Sequence, residues 1–213
     1  MFPLSTVLFP GATMPLHVFE PRYRALMRDC LAGDHRFGVI LIERGSEVGG
    51  GDVRAALGTR GLITKSIELP DGRWLLHVVG ESVIAVEQWL PDDPYPVALV
   101  RDVGPERVDS VPVPPAAAAD DEADVLLAAT QKLRRARAML AEHGGAPPLP
   151  PDLALDGDGD ADAASWELCA AAPLSSYDAQ RLLGTEGTVP RARLLLELME
   201  ELELDLQRML ASE

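Results

Sequence analysis

Short apolar segments separated by turn residues dominate the first half of the chain, and this pattern predicts a strand-rich region. The turn Pro70-Asp71-Gly72 predicts a hairpin, because proline presets φ, aspartate bonds nearby backbone and glycine accepts a positive φ. One early helix is predicted between Pro21 and Gly33, where apolar residues recur at three-to-four spacing. Together these elements indicate a small, curled, barrel-like sheet. The predicted strands are 7–9, 14–18, 37–42, 53–57, 62–69, 74–79, 82–89 and 95–103.

The second half changes to helical periodicity. Proline and alanine crowd residues 104–119, where we expect a connection, and residues 146–162 predict a flexible acidic loop. Ser175 and Asp178 stand in the positions of a capping box at a helix start. The predicted architecture is therefore α+β, with a β-rich subdomain at 1–110 and a C-terminal α-helical bundle at 111–213. The predicted helices are 120–142, 163–171, 175–184 and 190–211.

The balance of charge excludes some partners. The chain carries a net charge of −15, of which −4 falls on residues 1–115 and −11 on residues 116–213. Such an acidic chain repels phosphate backbones, so we expect no nucleic-acid partner. Its apolar runs are too short for a membrane span and no signal-peptide pattern opens it, so we expect a cytoplasmic protein with no membrane partner. Cys30 and Cys169 are expected to be buried, reduced thiols.

Motifs for catalysis are missing. The chain has two lysines, Lys65 and Lys132, and neither follows a glycine as a phosphate-binding loop requires. The Gly-x-Ser-x-Gly elbow of serine hydrolases is also absent. Spacing alone leaves a Ser–Lys dyad open, although Ser66 beside Lys65 would point to the opposite face of a strand. We therefore expect no enzyme activity and no cofactor.

Metal and phosphate sites find little support. The acids of 156–162, with Glu167, follow the ligand spacing of a calcium loop, but Ala161 replaces the glycine needed at the sixth position. We expect a solvated acidic loop there. The glycine-rich stretch 45–52 is expected to be a loop between strands, and the basic cluster 132–137 a solvated helix face. The four histidines show no metal-ligand spacing: His17, His35, His77 and His143.

Several ordered segments carry a resemblance to a known family. The first is the run from Val7 to Leu26, Val-Leu-Phe-Pro-Gly-Ala-Thr-Met-Pro-Leu-His-Val-Phe-Glu-Pro-Arg-Tyr-Arg-Ala-Leu, and the likeness continues through 37–42, 45–52, 58–59, 69–74 and 89–95. Weaker likeness follows at 172–174, 178–183 and 191–195. In these segments the chain resembles the N-terminal, substrate-binding domain of Lon proteases, in a stand-alone form without the ATPase and peptidase domains. The resemblance implies a PUA-like β-barrel region followed by a helical bundle.

The resemblance also implies a role and partners. Lon domains of this kind engage unfolded or tagged polypeptides and support oligomer assembly, so we expect a non-catalytic polypeptide-binding protein, an adaptor or holdase that works with a Lon-type protease. A receptor for unfolded chains needs an apolar groove or an open sheet edge. For each candidate residue in the family-like segments, simple core packing is the alternative. The candidates are Met14, Leu16, Phe19, Tyr23, Trp89 and Tyr95.

Two alternative functions stay open at this stage. PUA-like barrels in other proteins recognise RNA or small ligands, so a small-molecule or RNA-binding module is one alternative, which the acidity of the chain opposes for RNA. A self-contained peptidase is the other, and the missing motifs oppose it.

Overall fold

A computed structural model describes residues 1–45, 51–103, 117–142 and 160–210, with the side chains of 117–121 and 209–210 outside that description. The chain divides into two compact units, Met1–Glu106 and Arg107–Glu213. Strands and one helix form the first unit, and helices form the second. In chain order the elements are β1 (Phe2–Leu4), β2 (Thr13–Val18), α1 (Pro21–Ala32), β3 (Arg36–Arg44), β4 (Val53–Glu68), β5 (Trp74–Leu90), β6 (Val97–Val103), α2 (Ala117–Glu142), α3 (Ala161–Ala171), α4 (Ser176–Leu183) and α5 (Thr188–Leu210).

The first unit is built on one six-stranded sheet in the order β1-β3-β4-β5-β2, with β6 also paired to β5. β1 runs parallel to β3, and the other pairings are antiparallel. β2 pairs with the first part of β5 and β6 with its second part, so β5 changes its neighbour along its length. β1 and β2, the two ends of this strand order, are therefore edge strands, as is β6, which pairs with β5 alone among the described strands.

Two of the strands are longer than the sequence predicts. The predicted pairs 53–57 with 62–69 and 74–79 with 82–89 each form one continuous strand, β4 and β5. Glycines that interrupt the apolar pattern allow close approach of neighbouring backbone and do not end the strands. A Cβ on Gly80 would lie 2.2 Å from the Phe9 carbonyl oxygen, and one on Gly58 would lie 2.3 Å from that of Val39.

The prediction of a strand over 7–9 is wrong. These residues join no strand ladder, and the edge strand β1 forms earlier, at Phe2–Leu4. Leu8 and Phe9 are nonetheless buried, and the Thr59 hydroxyl donates a hydrogen bond to the Leu8 carbonyl. An apolar run this short fits a buried irregular segment as well as a strand, which is why the pattern misled.

Helix α1 packs its apolar face into the core of the first unit, and Pro21 occupies its first turn. This core combines residues from β1, β2, α1, β3, β4 and β5. Met27 and Val78 are fully buried at its centre. The early helix and the curled sheet predicted from the sequence are thus confirmed, as is the α+β class.

The second unit consists of helices α2 to α5, with α2 packed mainly against α5. The predicted stripe of α2 is buried at Leu126, Ala129, Leu133 and Ala136. Ser175 caps α4, because its hydroxyl accepts a hydrogen bond from the Asp178 amide at 3.1 Å. The predicted Ser175 cap is therefore confirmed, and the Ser175 hydroxyl also donates to the Asp178 carboxylate at 2.7 Å. No described helix is long and apolar enough to cross a membrane.

Helix starts differ from the predicted ones. Helix α3 begins at Ala161 and α5 at Thr188, each two residues before the predicted start, and α2 begins at Ala117. The end of the predicted acidic loop is therefore helical: Asp160 caps α3 by accepting a hydrogen bond from the Asp162 amide at 3.0 Å. The predicted features at 104–116, 146–159 and 46–50 lie outside the described residues.

Candidate functional site

An apolar groove of about 190 Å³ runs between the edge strands β1 and β2 of the first unit. β1 and β2 form its walls, and the start of α1 contributes to its floor. Only one of its ten lining residues, Glu20, carries a formal charge. We call this feature the β1–β2 groove. Its lining is Phe2, Pro3, Leu4, Pro15, Leu16, His17, Val18, Phe19, Glu20 and Tyr23.

Stacked aromatic rings pack together beneath the groove. The Phe2 and Tyr23 rings stack with their centroids 4.4 Å apart, and the Phe37 ring lies 5.9 Å from Phe2. Burial raises the pKa of the Tyr23 hydroxyl to about 12. Arg22 covers Tyr23 with its guanidinium 4.4 Å from the ring centroid. The floor is therefore a packed apolar surface in which Tyr23 stays uncharged at neutral pH.

Phe19 stands at the rim of the groove. It follows β2 and precedes α1, and 51% of its surface is exposed. The neighbouring charge is already compensated, because Arg22 Nε lies 3.1 Å from the Glu20 carboxylate. The rim therefore offers an apolar contact beside a neutralised ion pair.

The apolar surface continues from the groove across the outer face of the sheet. His17, whose ring lies 6.0 Å from Phe19, is the register partner of Leu75, and Leu75 is the partner of Ile67. Directly opposed residues in antiparallel strands share a face. Leu75 and Ile67 are 41% and 60% exposed. Sequence reasoning missed both, although counting outward from the 70–72 turn would have paired them.

The structure brings three of the six predicted site residues together. Leu16, Phe19 and Tyr23 line the β1–β2 groove. Met14 is half-buried and packs against the core of the first unit. Tyr95 packs against the same core, and its hydroxyl donates a 2.5 Å hydrogen bond to Asp29, which is the main cause that raises the pKa of Tyr95 to about 12.

Trp89 lies at a second depression, of about 460 Å³, lined also by Asp52, Arg54 and Asp92. The Arg54 guanidinium lies 4.6 Å from the Trp89 ring centroid. It is held by Asp52 at 2.6 Å and by Asp92 at 2.8 Å. Burial opposes the charged form of Arg54, but the hydrogen bonds to Asp92 and Asp52 outweigh this effect and raise the pKa of Arg54. The positive charge of Arg54 is thus already neutralised, so this depression is poorly suited to binding a phosphate group.

No cluster of His, Cys, Asp and Glu suited to a metal ion occurs within residues 1–45, 51–103, 117–142 and 160–210. Two acids of the calcium-like spacing have structural roles, since Asp160 caps α3 and Asp162 accepts a 2.8 Å hydrogen bond from Arg191. Asp156 and Asp158 lie outside the described residues.

Comparison with known proteins identifies this arrangement. Residues 1–201 match the family described as "ATP-dependent protease La (LON) substrate-binding domain". A crystal structure of a Lon N-terminal domain protein from Xanthomonas campestris is 31% identical, with a TM-score of 0.63 over 92% of this chain and 95% of that one. The N-terminal domain of a Mycobacterium avium complex Lon protease shares the fold at 17% identity, with a TM-score of 0.57 over 93% and 97%.

Curated relatives are whole proteases that the chain matches in part. A Lon protease of Flavobacterium johnsoniae is 27% identical over 49% of this chain, and one of Dictyoglomus thermophilum is 32% identical over 43%. These matches span only 13% and 12% of the two proteases. The similarity thus falls on a non-catalytic domain concerned with substrate recognition in proteolysis. The chain belongs to the Lon protease substrate-binding domain family.

Proposed function

We propose that this protein binds unfolded or tagged polypeptides through the β1–β2 groove and acts as an adaptor or holdase alongside a Lon-type protease, without catalytic activity of its own. The observation that carries the proposal is an apolar groove with a half-exposed phenylalanine at its rim, on a domain of the substrate-binding family. Unfolded chains differ from folded ones by exposing apolar side chains, which such a groove can bury.

The size and charge of the groove favour a polypeptide over the two alternative ligands. A volume of about 190 Å³ is below the roughly 300–1,000 Å³ typical of small-molecule sites. RNA binding needs unneutralised cations and accessible stacking faces. Beside the groove, the Arg22 guanidinium lies over the Tyr23 ring and pairs with Glu20. Its charge is therefore already engaged within the protein and does not favour an RNA phosphate.

A binding assay with a matched variant tests the proposal. A fluorescently labelled, permanently unfolded protein such as reduced, carboxymethylated lactalbumin is titrated with the wild-type chain and with Phe19→Ser. Loss of the Phe19 contact should weaken binding about tenfold, because a large side chain loses its burial in the complex. Leu99→Ser is the control, since Leu99 is equally exposed at 51% in the same unit but lies on β6, away from the groove.

The two variants separate the possible outcomes. Equal weakening by Phe19→Ser and Leu99→Ser would place binding elsewhere, and absence of binding by the wild-type chain would refute the proposed function. Addition of a Lon-type protease then tests the adaptor role: the wild-type chain should change the rate at which the labelled protein is degraded, and Phe19→Ser should reduce that change.

A further inference from the structure

The free edge of β2 borders the β1–β2 groove, and the direction of its backbone groups follows from hydrogen bonds nearby. The Gly80 amide donates to the Ala12 carbonyl at 3.0 Å, and the Gly80 carbonyl accepts from the Gly11 amide at 2.9 Å. Backbone groups of successive strand residues point to opposite sides. Even-numbered residues of β5 from Trp74 to Gly80 therefore face β2, and their partners Met14, Leu16 and Val18 face β5.

The remaining residues of β2 direct their backbone groups away from β5. These are Thr13, Pro15 and His17, and all three are exposed. Pro15 supports the assignment, because a residue without an N–H cannot donate to β5 and fits only on the outward-facing set. The free edge thus presents the N–H groups of Thr13 and His17, and the carbonyls of Thr13, Pro15 and His17.

Within the described part of the first unit, residues 1–45 and 51–103, nothing pairs with this edge. β2 ends the strand order of the sheet, and its recorded ladder is the one with β5. An unpaired row of donors and acceptors is a template for another strand. Edge strands are often protected by charge or by proline. Here Pro15 removes one outward N–H, but the adjoining groove is apolar and its single charged lining residue, Glu20, is paired with Arg22.

We infer that an extended polypeptide segment is bound by strand addition to the free edge of β2, with alternate apolar side chains entering the β1–β2 groove. This inference rests on the proposed function. Backbone pairing makes recognition independent of sequence, and the groove selects for apolar residues. Side chains of the added strand alternate, so those on one face lie beside Leu16 and those on the other lie beside His17.

The pairing predicts which amides of the bound segment matter. In an antiparallel arrangement, the segment donates from every second residue to the carbonyls of Thr13, Pro15 and His17. Its intervening amides point away from β2. The expected dependence on backbone amides therefore has a period of two residues, which side-chain binding alone would not produce.

An N-methylation scan on the wild-type protein tests this dependence. The probe is a short fluorescein-labelled peptide that alternates valine with threonine, and binding is followed by fluorescence anisotropy. Methylation of one alternate set of amides should weaken binding about tenfold, while methylation of the other set should change it less than about twofold, because only one set loses hydrogen bonds to the protein.

A pair of protein variants tests the same contact from the other side. His17→Pro removes an outward N–H without removing a ladder bond to β5, and it should weaken binding of the unmodified peptide about fivefold. His17→Ala removes the imidazole but keeps the N–H, and it should retain affinity within about twofold. Urea unfolding of both variants establishes that they are folded, and if His17→Pro unfolds, the methylation scan alone decides.

Three results would overturn the inference. Equal sensitivity of both amide sets, with binding still lost in Phe19→Ser, would leave the proposed function standing and remove strand addition. A dimer of the chain that dissociates in His17→Pro but not in His17→Ala would assign the edge to a second copy. Failure of both the unmodified peptide and the unfolded protein to bind would remove the proposed function together with the inference.

Discussion

The guanidinium carbon of Arg191 lies 3.3 Å from the centroid of the Trp166 ring, and this stack joins α5 to α3 in the helical unit. Arg191 is buried, and its Nη1 also donates to Asp162 at 2.8 Å and to the Ser165 hydroxyl. Trp166 Nε1 donates to the same Asp162 carboxylate at 3.1 Å. One planar cation therefore serves as a cation–π partner and as a hydrogen-bond donor to the first turn of α3.

Replacement of Arg191 should destabilise the helical unit. We expect Arg191→Ala to lower the free energy of unfolding by about 3 kcal/mol, because it removes a buried side chain together with its stack on Trp166 and its hydrogen bonds to Asp162 and Ser165. Arg191→Lys should recover only part of this loss, since an ammonium cannot stack as a plane. Urea unfolding followed by circular dichroism measures both. The exposed Arg193 supplies the control, and a loss for Arg193→Ala as large as that for Arg191→Ala would contradict the assignment.

Asp162 illustrates where sequence reasoning reaches its limit. Its neighbourhood is acidic and glycine-rich, which predicts a loop, yet its carboxylate is anchored by Arg191, 29 residues later in the chain. Local signals such as the Ser175 cap and the turn at 70–72 were predicted correctly, because the interacting groups lie within a few residues. Pairings between distant residues leave no local pattern, and the extension of β4 and β5 through glycines was missed for that reason.

The candidate site shows the same difference between local features, which the sequence predicts, and long-range contacts, which it does not. Leu16, Phe19 and Tyr23 were found through family resemblance, but that they share a groove with Phe2 depends on how the sheet brings its two edges together. Leu75 and Ile67 belong to the same apolar surface only through cross-strand register. From sequence alone, apolar residues in a strand are assigned to the core. Which face of the strand is covered depends on the tertiary structure, so the sequence could not predict which of these residues are exposed.

Glu203 links α2 to α5 through two cations. Its carboxylate lies 2.7 Å from Lys132 Nζ and 2.8 Å from Arg135 Nε, although the Glu203 residue is only 6% exposed. We expect Glu203→Gln to lower the free energy of unfolding by about 1–2 kcal/mol at neutral pH, a range reduced for the exposure of the two cations. Glu200→Gln is the control on the same helix, because Glu200 is exposed and 3.9 Å from Lys132. Similar losses in both variants would contradict a special role for Glu203.

The same carboxylate predicts an acid dependence. The hydrogen bond from Lys132 is the main cause that lowers the pKa of Glu203 below its usual 4.5. A lowered pKa in the folded state means that the stabilisation is present above pH 4.5 and is lost as the pH falls through the lowered pKa. Urea unfolding at several pH values should therefore show the difference between wild type and Glu203→Gln shrinking under acidic conditions. A constant difference would argue that the loss comes from packing.

Alkaline conditions should destabilise the protein through its buried thiols. Burial raises the pKa of Cys169 from 9.0 to about 12 and that of Cys30 from 9.0 to about 11. Because the folded thiols hold their protons longer than the unfolded ones, stability is full below pH 9 and falls as the pH rises towards these folded-state values. Each thiol contributes a slope of up to about 1.4 kcal/mol per pH unit in that window.

Cysteine variants separate this contribution from that of other groups. Cys169→Ala should flatten the decline in the free energy of unfolding above pH 9, after allowance for the cavity that the substitution leaves. Tyr23 and Tyr95, whose pKa values are both raised to about 12, add a further decline above pH 10 in every variant. An unchanged slope in Cys169→Ala between pH 9 and pH 10 would show that the Cys169 thiol is not protected by burial.

The row formed by His17, Leu75 and Ile67 predicts a graded effect on polypeptide binding. Leu75 neighbours His17 across one strand pairing, whereas Ile67 lies one strand further from the free edge of β2. Strands are spaced about 4.8 Å apart, so a strand added at that edge would lie about 10 Å from Leu75 and about 14 Å from Ile67. Its long outer-face side chains, passing over His17, could therefore contact Leu75 but not Ile67. We expect Leu75→Thr to weaken binding of the unfolded protein about threefold, and Ile67→Thr to change it less than about twofold. Threonine preserves the strand, so urea unfolding should be similar for both variants. A larger effect at Ile67 than at Leu75 would move the bound segment from the edge of β2 to the outer face of the β4–β5 hairpin.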